Sequence, residues 1–539
     1  MNLLTPALLV IALAAAHAGP VGYRGDGSGV FPQSNPPVDC DMTTGRNIVW
    51  TAPLPNWGHG SPIVVKDRAF VLSEPGWKHD WPVLTCLDVA TGKVLWEREV
   101  NHLPATKLDA GKQAEIATQW REFHETWRKL YTTFAETVGQ KKPEEAVARF
   151  EQMGFKFAGH RGGGYGQLRG LKPKPEDRFG GPAGIHGETW RHGCGLGTDC
   201  IGMAYATPVS DGEHVYVTTT FSGAACYDLA GNQKWVAFAP TTGRTEAYAR
   251  SPLLYRDLLI SDYFGRLVAF DKTTGKVRWQ VETKGGSIAT SAIITVAGTD
   301  IVLSEGKQDG DGSVTATRLP DGKPLRVEGW GIGGTQILTD TDRRDVAYFC
   351  GRGQHSFWPE KGEVTQPPVA VRFALDGETL KATMLWHGAE FVGAGGYVGL
   401  TYHGGKLYCS TGGSAVVIDA ATGKLLAGEL GKNAKRVLPA TSHLLLLAGD
   451  KFYGLGGSGG AADGNIKTSA TLTCFSRDGA PLGKSVLTAA PVEGEKLAQT
   501  RSQVGWDKWP FAYGFPFTIA GDRIYVRGFD HLICIGAKP

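Results

Sequence analysis

The stretch that decides the fold is Cys86-Leu87-Asp88-Val89-Ala90-Thr91-Gly92-Lys93-Val94-Leu95-Trp96. An apolar run stops at an aspartate, turns at Thr-Gly, and resumes as a second apolar run with tryptophan four residues after the glycine. Each part has a mechanical role. The Asp carboxylate can accept backbone N–H groups in the turn. Glycine supplies the positive φ. The indole offers a large apolar face to whatever lies alongside. The pattern recurs as Ala269-Phe-Asp271-Lys-Thr-Thr274-Gly275-Lys276-Val-Arg-Trp279. A looser copy, Val417-Ile-Asp419-Ala-Ala-Thr422-Gly423-Lys424, has Ala427 where the others have tryptophan. A copy one residue shorter runs from Cys226 through Asp228 to Trp235.

A two-strand hairpin pattern precedes each copy and recurs elsewhere, at 63–72, 208–218, 252–261, 292–304, 336–349, 400–410, 443–454 and 516–526. Their turns are short and polar, such as Lys66-Asp67, Asp211-Gly212 and Ala520-Gly521-Asp522. Taking Val71, Val217, Ile260, Leu303, Phe349, Cys409, Gly454 and Val526 as equivalents gives spacings of 146, 43, 43, 46, 60, 45 and 72. The short spacings match a four-stranded propeller blade, and the long ones mark insertions. The last unit supplies three strands. Thr44-Gly45-Arg46-Asn47-Ile48-Val49-Trp50 matches the missing turn and fourth strand. The expectation is an all-β, eight-bladed β-propeller closed by the N-terminal strand, which removes an exposed sheet edge.

These residues resemble the PQQ-like β-propeller repeat, the tryptophan-docking blade of quinoprotein alcohol dehydrogenases. The same repeat builds the eight-bladed lipoprotein of the outer-membrane β-barrel assembly machinery. The segment Tyr23-Arg24-Gly25-Asp26-Gly27-Ser28-Gly29-Val30 is similar to the opening of many exported propellers of this class. The resemblance covers roughly residues 20 to 537 outside the long insert, and it speaks to fold more than to function.

Composition agrees. Glycine accounts for 75 of 539 residues, which suits many tight turns, and the net charge of +3 gives no special attraction to nucleic acid or an anionic membrane. Residues 1–18 read as a signal peptide: an apolar run from Leu8 to Ala16, too short to span a bilayer, then Ala16-His17-Ala18 as a cleavage site. The first cysteine is Cys40, so no lipid-anchoring cysteine follows the leader, and the expectation is a monomer in the periplasm or outside the cell. Residues 19–539 form a single propeller domain on this reading. Cys86, Cys226, Cys474 and Cys534 share one register of the repeat and read as small buried hydrophobes. Cys194 and Cys200 are close enough in sequence to form a disulfide, or to join His186 and His192 around a metal.

The insertions are one-sided. The first and third connections within a blade (A–B and C–D) are short; the long segments are B–C loops and links between blades. The longest, 101–201, is a helical and Gly-rich insertion between the first two blades. Its apolar stripe Ile116, Trp120, Phe123, Trp127, Leu130, Phe134 and Val138 predicts an amphipathic helix, and a shorter one starts near Pro143. The candidate partner-binding face carries His59, Trp77, His79, Trp81, Arg250, His355, Trp358, Trp506 and Trp509, since tryptophan with polar neighbours suits a protein or glycan surface. A quinoprotein dehydrogenase would imply adjacent cysteines beside the cofactor, a calcium site and a catalytic aspartate. This chain has no Cys-Cys pair, and Asp309-Gly310-Asp311 lacks the later acidic ligand of a calcium loop. No PQQ, calcium, metal or catalytic residue is therefore expected. The leading reading is a non-catalytic binding or scaffold protein; the alternative is a quinoprotein-type oxidoreductase.

Overall fold

The computed structural model describes residues 20–118 except 57 and 75–79, then residues 121, 152, 156–157 and 171–172. From 204 to 538 it describes all but 220–222, 240–249, 264, 284–289, 308–311, 330–335, 351–367, 389–398, 412–413, 429–443, 458–468, 489–515 and 529. Their strands gather into antiparallel meanders, numbered below as sheets one to eight, with strands A to D in order within each. Sheets one to seven span 63–99, 209–238, 253–282, 292–328, 336–387, 400–427 and 445–488. Sheet eight takes strands A to C from 517–535 and strand D from Ile48–Pro53. Every hairpin expected from the sequence is an A–B pair. The N-terminal strand pairs antiparallel with His531–Ile535, Trp50 facing Cys534.

The core lies in the seams between consecutive sheets. One apolar cluster joins sheets one and two (Phe70, Leu72, Val215, Tyr227), another sheets two and three (Tyr216, Trp235, Leu259, Phe270). The same holds around the ring to the seam of sheets eight and one, where Trp50, Tyr525 and Leu532 meet Ala69, Val71 and Leu87. A strands of neighbouring sheets touch, as Gln336–Thr339 does Leu400–His403, so they line the middle.

The turn motif works as its chemistry requires. The Asp88 carboxylate accepts the Thr91 backbone N–H at 2.8 Å and its hydroxyl at 2.6 Å. Asp271 and Asp419 hold Thr274 and Thr422 the same way, and Asp228 accepts the Asn232 N–H. Thr91's hydrogen bonds hold the Asp88 carboxyl below its usual range, and Thr422 does so for Asp419.

The tryptophans lock one sheet onto the next. Each lies over the turn glycine of the following sheet and donates its indole N–H to a carbonyl there. Trp50 covers Gly92 and donates to Val89 at 2.9 Å; Trp96 covers Gly231 and donates to Leu229 at 3.1 Å. Trp235 covers Gly275 and donates to Lys272 at 2.9 Å; Trp279 covers Gly322 and donates to Pro320 at 2.8 Å. Trp386, which the sequence pattern missed, covers Gly423 and donates to Ala420 at 3.0 Å. Opposite each indole on strand C stands a small residue: Cys534, Cys86, Cys226, Ala269 and Ala370. A register shift adjoins each pair, and such bulges re-aim a side chain. Cys86, Cys226 and Cys534 are therefore buried spacers beside a tryptophan, Cys474 is buried opposite Gly483 instead, and burial pushes the Cys86 and Cys226 thiols up to about 12.

Three seams lack the lock: Gly377, Gly479 and Gly45 have no indole over them. Other packing fills the gap. The D strands of sheets four and five pair directly, in parallel, with Arg326 opposite Thr379. Between sheets six and seven, Phe452 and Phe475 stack with centroids 4.9 Å apart beside Tyr408. Between sheets seven and eight, Tyr23, Phe31, Val38 and Met42 from the N-terminal segment complete the cluster, and the Cys40 N–H donates to Ser485 Oγ at 2.7 Å.

That N-terminal segment revises one expectation. Val21 exchanges backbone hydrogen bonds with Ser210 at 2.9 and 2.8 Å, and Val30–Phe31 pairs parallel with Leu447 and Ala448. Ser210 and Ala448 both end A strands, just before the A–B turns of sheets two and seven. The A–B side is thus crossed by a strap, residues 20–31, rather than bare. Of the insert, residues 110–118 are helical with Ile116 buried; the rest of the stripe, and Pro143, lie outside the described residues. No helix among the described residues is long and apolar enough to cross a membrane.

Candidate functional site

Chain geometry brings polar residues together where the A strands begin, on the side of the B–C loops. Ser61, Thr207 and Ser251 stand two residues before strand A of sheets one to three, each followed by a proline, and Ser291 stands directly before strand A of sheet four; these residues stitch neighbours together. Ser61 N–H donates to Thr207 Oγ1 and Thr207 N–H to Ser251 Oγ, each at 3.0 Å. Ser291 Oγ donates to Asp262 Oδ2 at 3.1 Å and lies 2.8 Å from Ser304 Oγ. Thr401 continues the belt, its hydroxyl donating to the Leu445 carbonyl at 2.5 Å.

Two buried cations sit at this level. Arg250 pairs with Asp262, both almost wholly buried. Burial pushes the Asp262 carboxyl up, and the Arg250 guanidinium opposes that. Arg527, at the end of strand B in sheet eight, reaches into sheet one. It donates to the Leu72 carbonyl at 2.6 Å, Ser73 Oγ at 2.9 Å and the Asn56 carbonyl at 3.2 Å. Burial pushes it down to about 9, with Glu74's charge acting the other way. The Glu74 carboxylate accepts the Ala204 N–H, tying the first B–C loop to the return from the long insert. These contacts are structural clamps: each charge is engaged by a neighbouring strand or link.

The sequence-predicted face is only partly within the described residues. Trp77, His79, His355, Trp358, Trp506 and Trp509 lie outside them, as do Cys194, Cys200, His186, His192, Asp309 and Asp311. Three members are described, and all three are buried rather than presented to solvent. Trp81 packs edge-on against His102 with centroids 5.1 Å apart, and His102 stacks on Phe238 at 5.3 Å. Burial alone pushes that imidazole down to about 4. His59 lies against Tyr205 at 5.1 Å, and Arg250 is spent on Asp262. The reason is local: each lies beside a link returning to the ring, where a large side chain is covered by the next sheet. Their place on a partner-binding face is therefore corrected to the support beneath it. Among the described residues no three His, Cys, Asp or Glu side chains gather as metal ligands.

The strap builds the second feature, which the sequence did not signal. Its turns at Arg24, Gly25, Gly27 and Gly29 have positive φ, and Arg24 is folded inward, buried. The Arg24 guanidinium donates to Thr401 Oγ1 at 2.6 Å and the Ser28 carbonyl at 3.0 Å. Between strap and ring lies a cavity of about 480 Å³ lined by Pro20, residues 22–28, the A strands of sheets two to five, the residues leading into those of sheets three and four, and the A–B turn of sheet five.

A family model described as outer membrane protein assembly factor BamB matches residues 13–123 and 187–327. Serine/threonine-protein kinase AfsK of Streptomyces griseus is 30% identical over 112 residues, 20% of this chain; the match spans only 14% of the kinase. Among solved structures, BamB from Moraxella catarrhalis is similar at 15% identity and a TM-score of 0.37, covering 61% of this chain and 81% of that one. Quinohemoprotein alcohol dehydrogenase from Comamonas testosteroni is similar at 11% identity and a TM-score of 0.45, covering 91% and 77%. With the repeated Asp-Thr-Gly turn, the docked tryptophans and the ring of four-stranded meanders, the chain is a PQQ-like-repeat β-propeller protein.

Proposed function

We propose that the sheets are the eight blades of one closed propeller, that 101–201 is a helical and Gly-rich insertion between the first two, and that residues 1–18 direct export. On this reading the mature protein is a monomer in the periplasm or beyond. It is a non-catalytic scaffold that holds a protein or glycan partner on its loop-rich face. The observation that carries the reading is the placement of chain length. A–B turns run from two residues (66–67, 404–405) to six (340–345), whereas the B–C and D–A segments include 74–82, 351–368 and 489–516. Binding residues concentrate on loops held by a rigid scaffold. The buried clamps of Arg250, Arg527, Trp81 and His102 make the base of those loops stiff. BamB, whose family model matches residues 13–123 and 187–327, is an outer membrane protein assembly factor, which favours a scaffold over an enzyme.

No PQQ or calcium is part of this proposal. The test has two arms. The first captures partners from an envelope extract with the exported protein and with a Trp358→Ala/Trp506→Ala/Trp509→Ala variant. A specific partner should be retained by the former and lost, by tenfold or more, from the latter; each large aromatic at a contact centre contributes about 2 kcal/mol or more. Equal capture by both refutes the loop-face assignment. The second arm incubates the protein with PQQ, Ca²⁺ and a dye acceptor over alcohols and sugars. Oxidation well above a heat-killed control would replace the scaffold reading with the quinoprotein oxidoreductase.

A further inference from the structure

The A-strand edges that face the middle of the ring carry a second site, which adds to that reading and does not rest on it. In an antiparallel pair, alternate residues turn their backbone N–H and C=O away from the partner strand. The A–B turn fixes which residues do so, because the two residues flanking a tight turn bond to each other. In sheet seven the turn 449–450 is flanked by Ala448 and Lys451, so Leu447 faces outward; its N–H donates to the Gly29 carbonyl of the strap at 2.8 Å. In sheet four the turn 297–298 is flanked by Val296 and Thr299, so Thr295 and Ile293 face outward. The Thr295 N–H donates to the Arg344 carbonyl at 2.9 Å, and the Ile293 carbonyl accepts Thr339 Oγ1 at 3.0 Å. In sheet two, Ser210 exchanges both of its groups with Val21 of the strap, at 2.9 and 2.8 Å.

Sheet three departs from this pattern. Its turn 256–257 is flanked by Tyr255 and Leu258, so Leu254 stands where Leu447 does in sheet seven. Among the described residues, neither the N–H nor the C=O of Leu254 has a hydrogen-bond partner. Its strand, Leu253–Tyr255, is half-buried throughout, whereas the strap-covered Leu445–Ala448 is wholly buried. Leu254 lines the cavity of about 480 Å³, which runs from the strap to Thr290 and Ser291 on the loop side. We propose that this cavity takes a short extended peptide segment of a partner protein, which pairs with Leu254 on the inner edge of sheet three as Val21 pairs with Ser210 on the sheet beside it. Strand addition draws affinity from main-chain bonds and specificity from the pockets for side chains. The pockets here are hydrocarbon, from Leu253, Ile293 and Ile337. In and beside the wall, Asp26, Asp300 and Asp340 balance Arg24, Arg344 and Arg343, so it selects no charge. The segment that fits is uncharged, with aliphatic side chains.

The probes are two blocked tetrapeptides, acetyl-Thr-Val-Thr-Val-amide and acetyl-Ser-Leu-Thr-Ile-amide. Each is set against the form N-methylated at both central residues, which keeps the side chains and loses the inner donors. Calorimetry should show saturable binding of at least one peptide, with its methylated form roughly tenfold weaker or more, the worth of about one hydrogen bond. Amide exchange of isotope-labelled leucines reads the site directly. Leu254 should exchange roughly tenfold or more faster than Leu447 in the free protein, and should slow when the peptide is bound. Leu254→Pro removes the donor at an edge position where the ladder does not use it, and should weaken the peptide by a similar factor; if that variant does not fold, the exchange rates decide. No saturable binding of either peptide, equal affinity of the methylated forms, a Leu254 amide as protected as Leu447, or one that the peptide leaves unchanged would each overturn the proposal. So would a folded Leu254→Pro variant that binds like the parent. Failure of the loop variant to change partner capture would leave this site standing, so the two readings fail separately.

Discussion

A single methyl group placed at two turn glycines separates the tryptophan lock from ordinary turn geometry. Gly275 and Gly479 occupy the same turn in sheets three and seven, with φ of +71° and +85°. Alanine in this region costs roughly 1–2 kcal/mol at either site because its Cβ crowds the following carbonyl. The surroundings differ. A Cβ at Gly275 would lie 2.6 Å from the Trp235 ring, whereas at Gly479 nothing stands within 4 Å. Trp235 is 7% exposed and fixed by its bond to the Lys272 carbonyl, so it cannot yield freely. Overpacking of this kind adds roughly 1–3 kcal/mol. Gly479→Ala should therefore cost roughly 1–2 kcal/mol and Gly275→Ala roughly 2–5 kcal/mol. Trp235→Ala alone should cost roughly 3–5 kcal/mol. Against that background Gly275→Ala should fall back to the Gly479 value, a coupling of roughly 1–3 kcal/mol between neighbours. Urea unfolding of the four variants, read as midpoints at unchanged slope, measures each term. Equal costs at the two glycines, or strict additivity of Trp235→Ala with Gly275→Ala, would refute the docking account.

Deleting residues 19–52 removes strand D of sheet eight and the strap together, and should give aggregation or a large drop in melting temperature; an unchanged monomer by light scattering and calorimetry would refute closure. Replacing 109–154 by a Gly/Ser linker should remove helical circular dichroism and keep the β signal, and global unfolding would place the insert in the core. The turn carboxylates of Asp88, Asp271 and Asp419 titrate below their unfolded values, so each stabilises the fold above about pH 4 and loses that contribution as pH falls through its lower folded value. Asp271→Asn should accordingly lower stability at pH 7 and flatten its loss as the pH falls below about 4; parallel curves for variant and parent in acid unfolding would count against it. Arg527→Met should weaken the seam of sheets eight and one by roughly 3–5 kcal/mol in the same urea assay, since it leaves buried carbonyls without a partner.

Much of the fold was legible because the repeat is a local code. Asp88, Gly92 and Trp96 lie within eleven residues, so turn, bend and docking face are written in one window. Trp386 escaped because its turn, Asp376-Gly377, is shorter and lacks the threonine. Its indole is placed by pairing with Ala370 across the sheet, a relation that appears only once strands are aligned. The strap was invisible for a different reason. Val21 to Ser210 and Val30 to Leu447 are contacts across hundreds of residues, with no periodicity to announce them. On the candidate face, residue type was readable and exposure was not: tryptophan and arginine beside a link look the same in sequence whether they face solvent or the next sheet. Trp81 and Arg250 went inward because neighbouring sheets supplied His102 and Asp262 as partners.

The pairing of Ile48–Pro53 with His531–Ile535 also sets a timetable. The strand synthesised among the first is the one the last sheet needs, so the ring cannot shut while the chain is being made. At about 5–20 residues per second that wait is on the order of half a minute to two minutes. Throughout it, the Ile48–Pro53 strand has no mate. An unpaired strand of this kind is a template for wrong pairing. The nascent chain therefore has most need of a chaperone at its beginning, and that need ends when the final strand arrives.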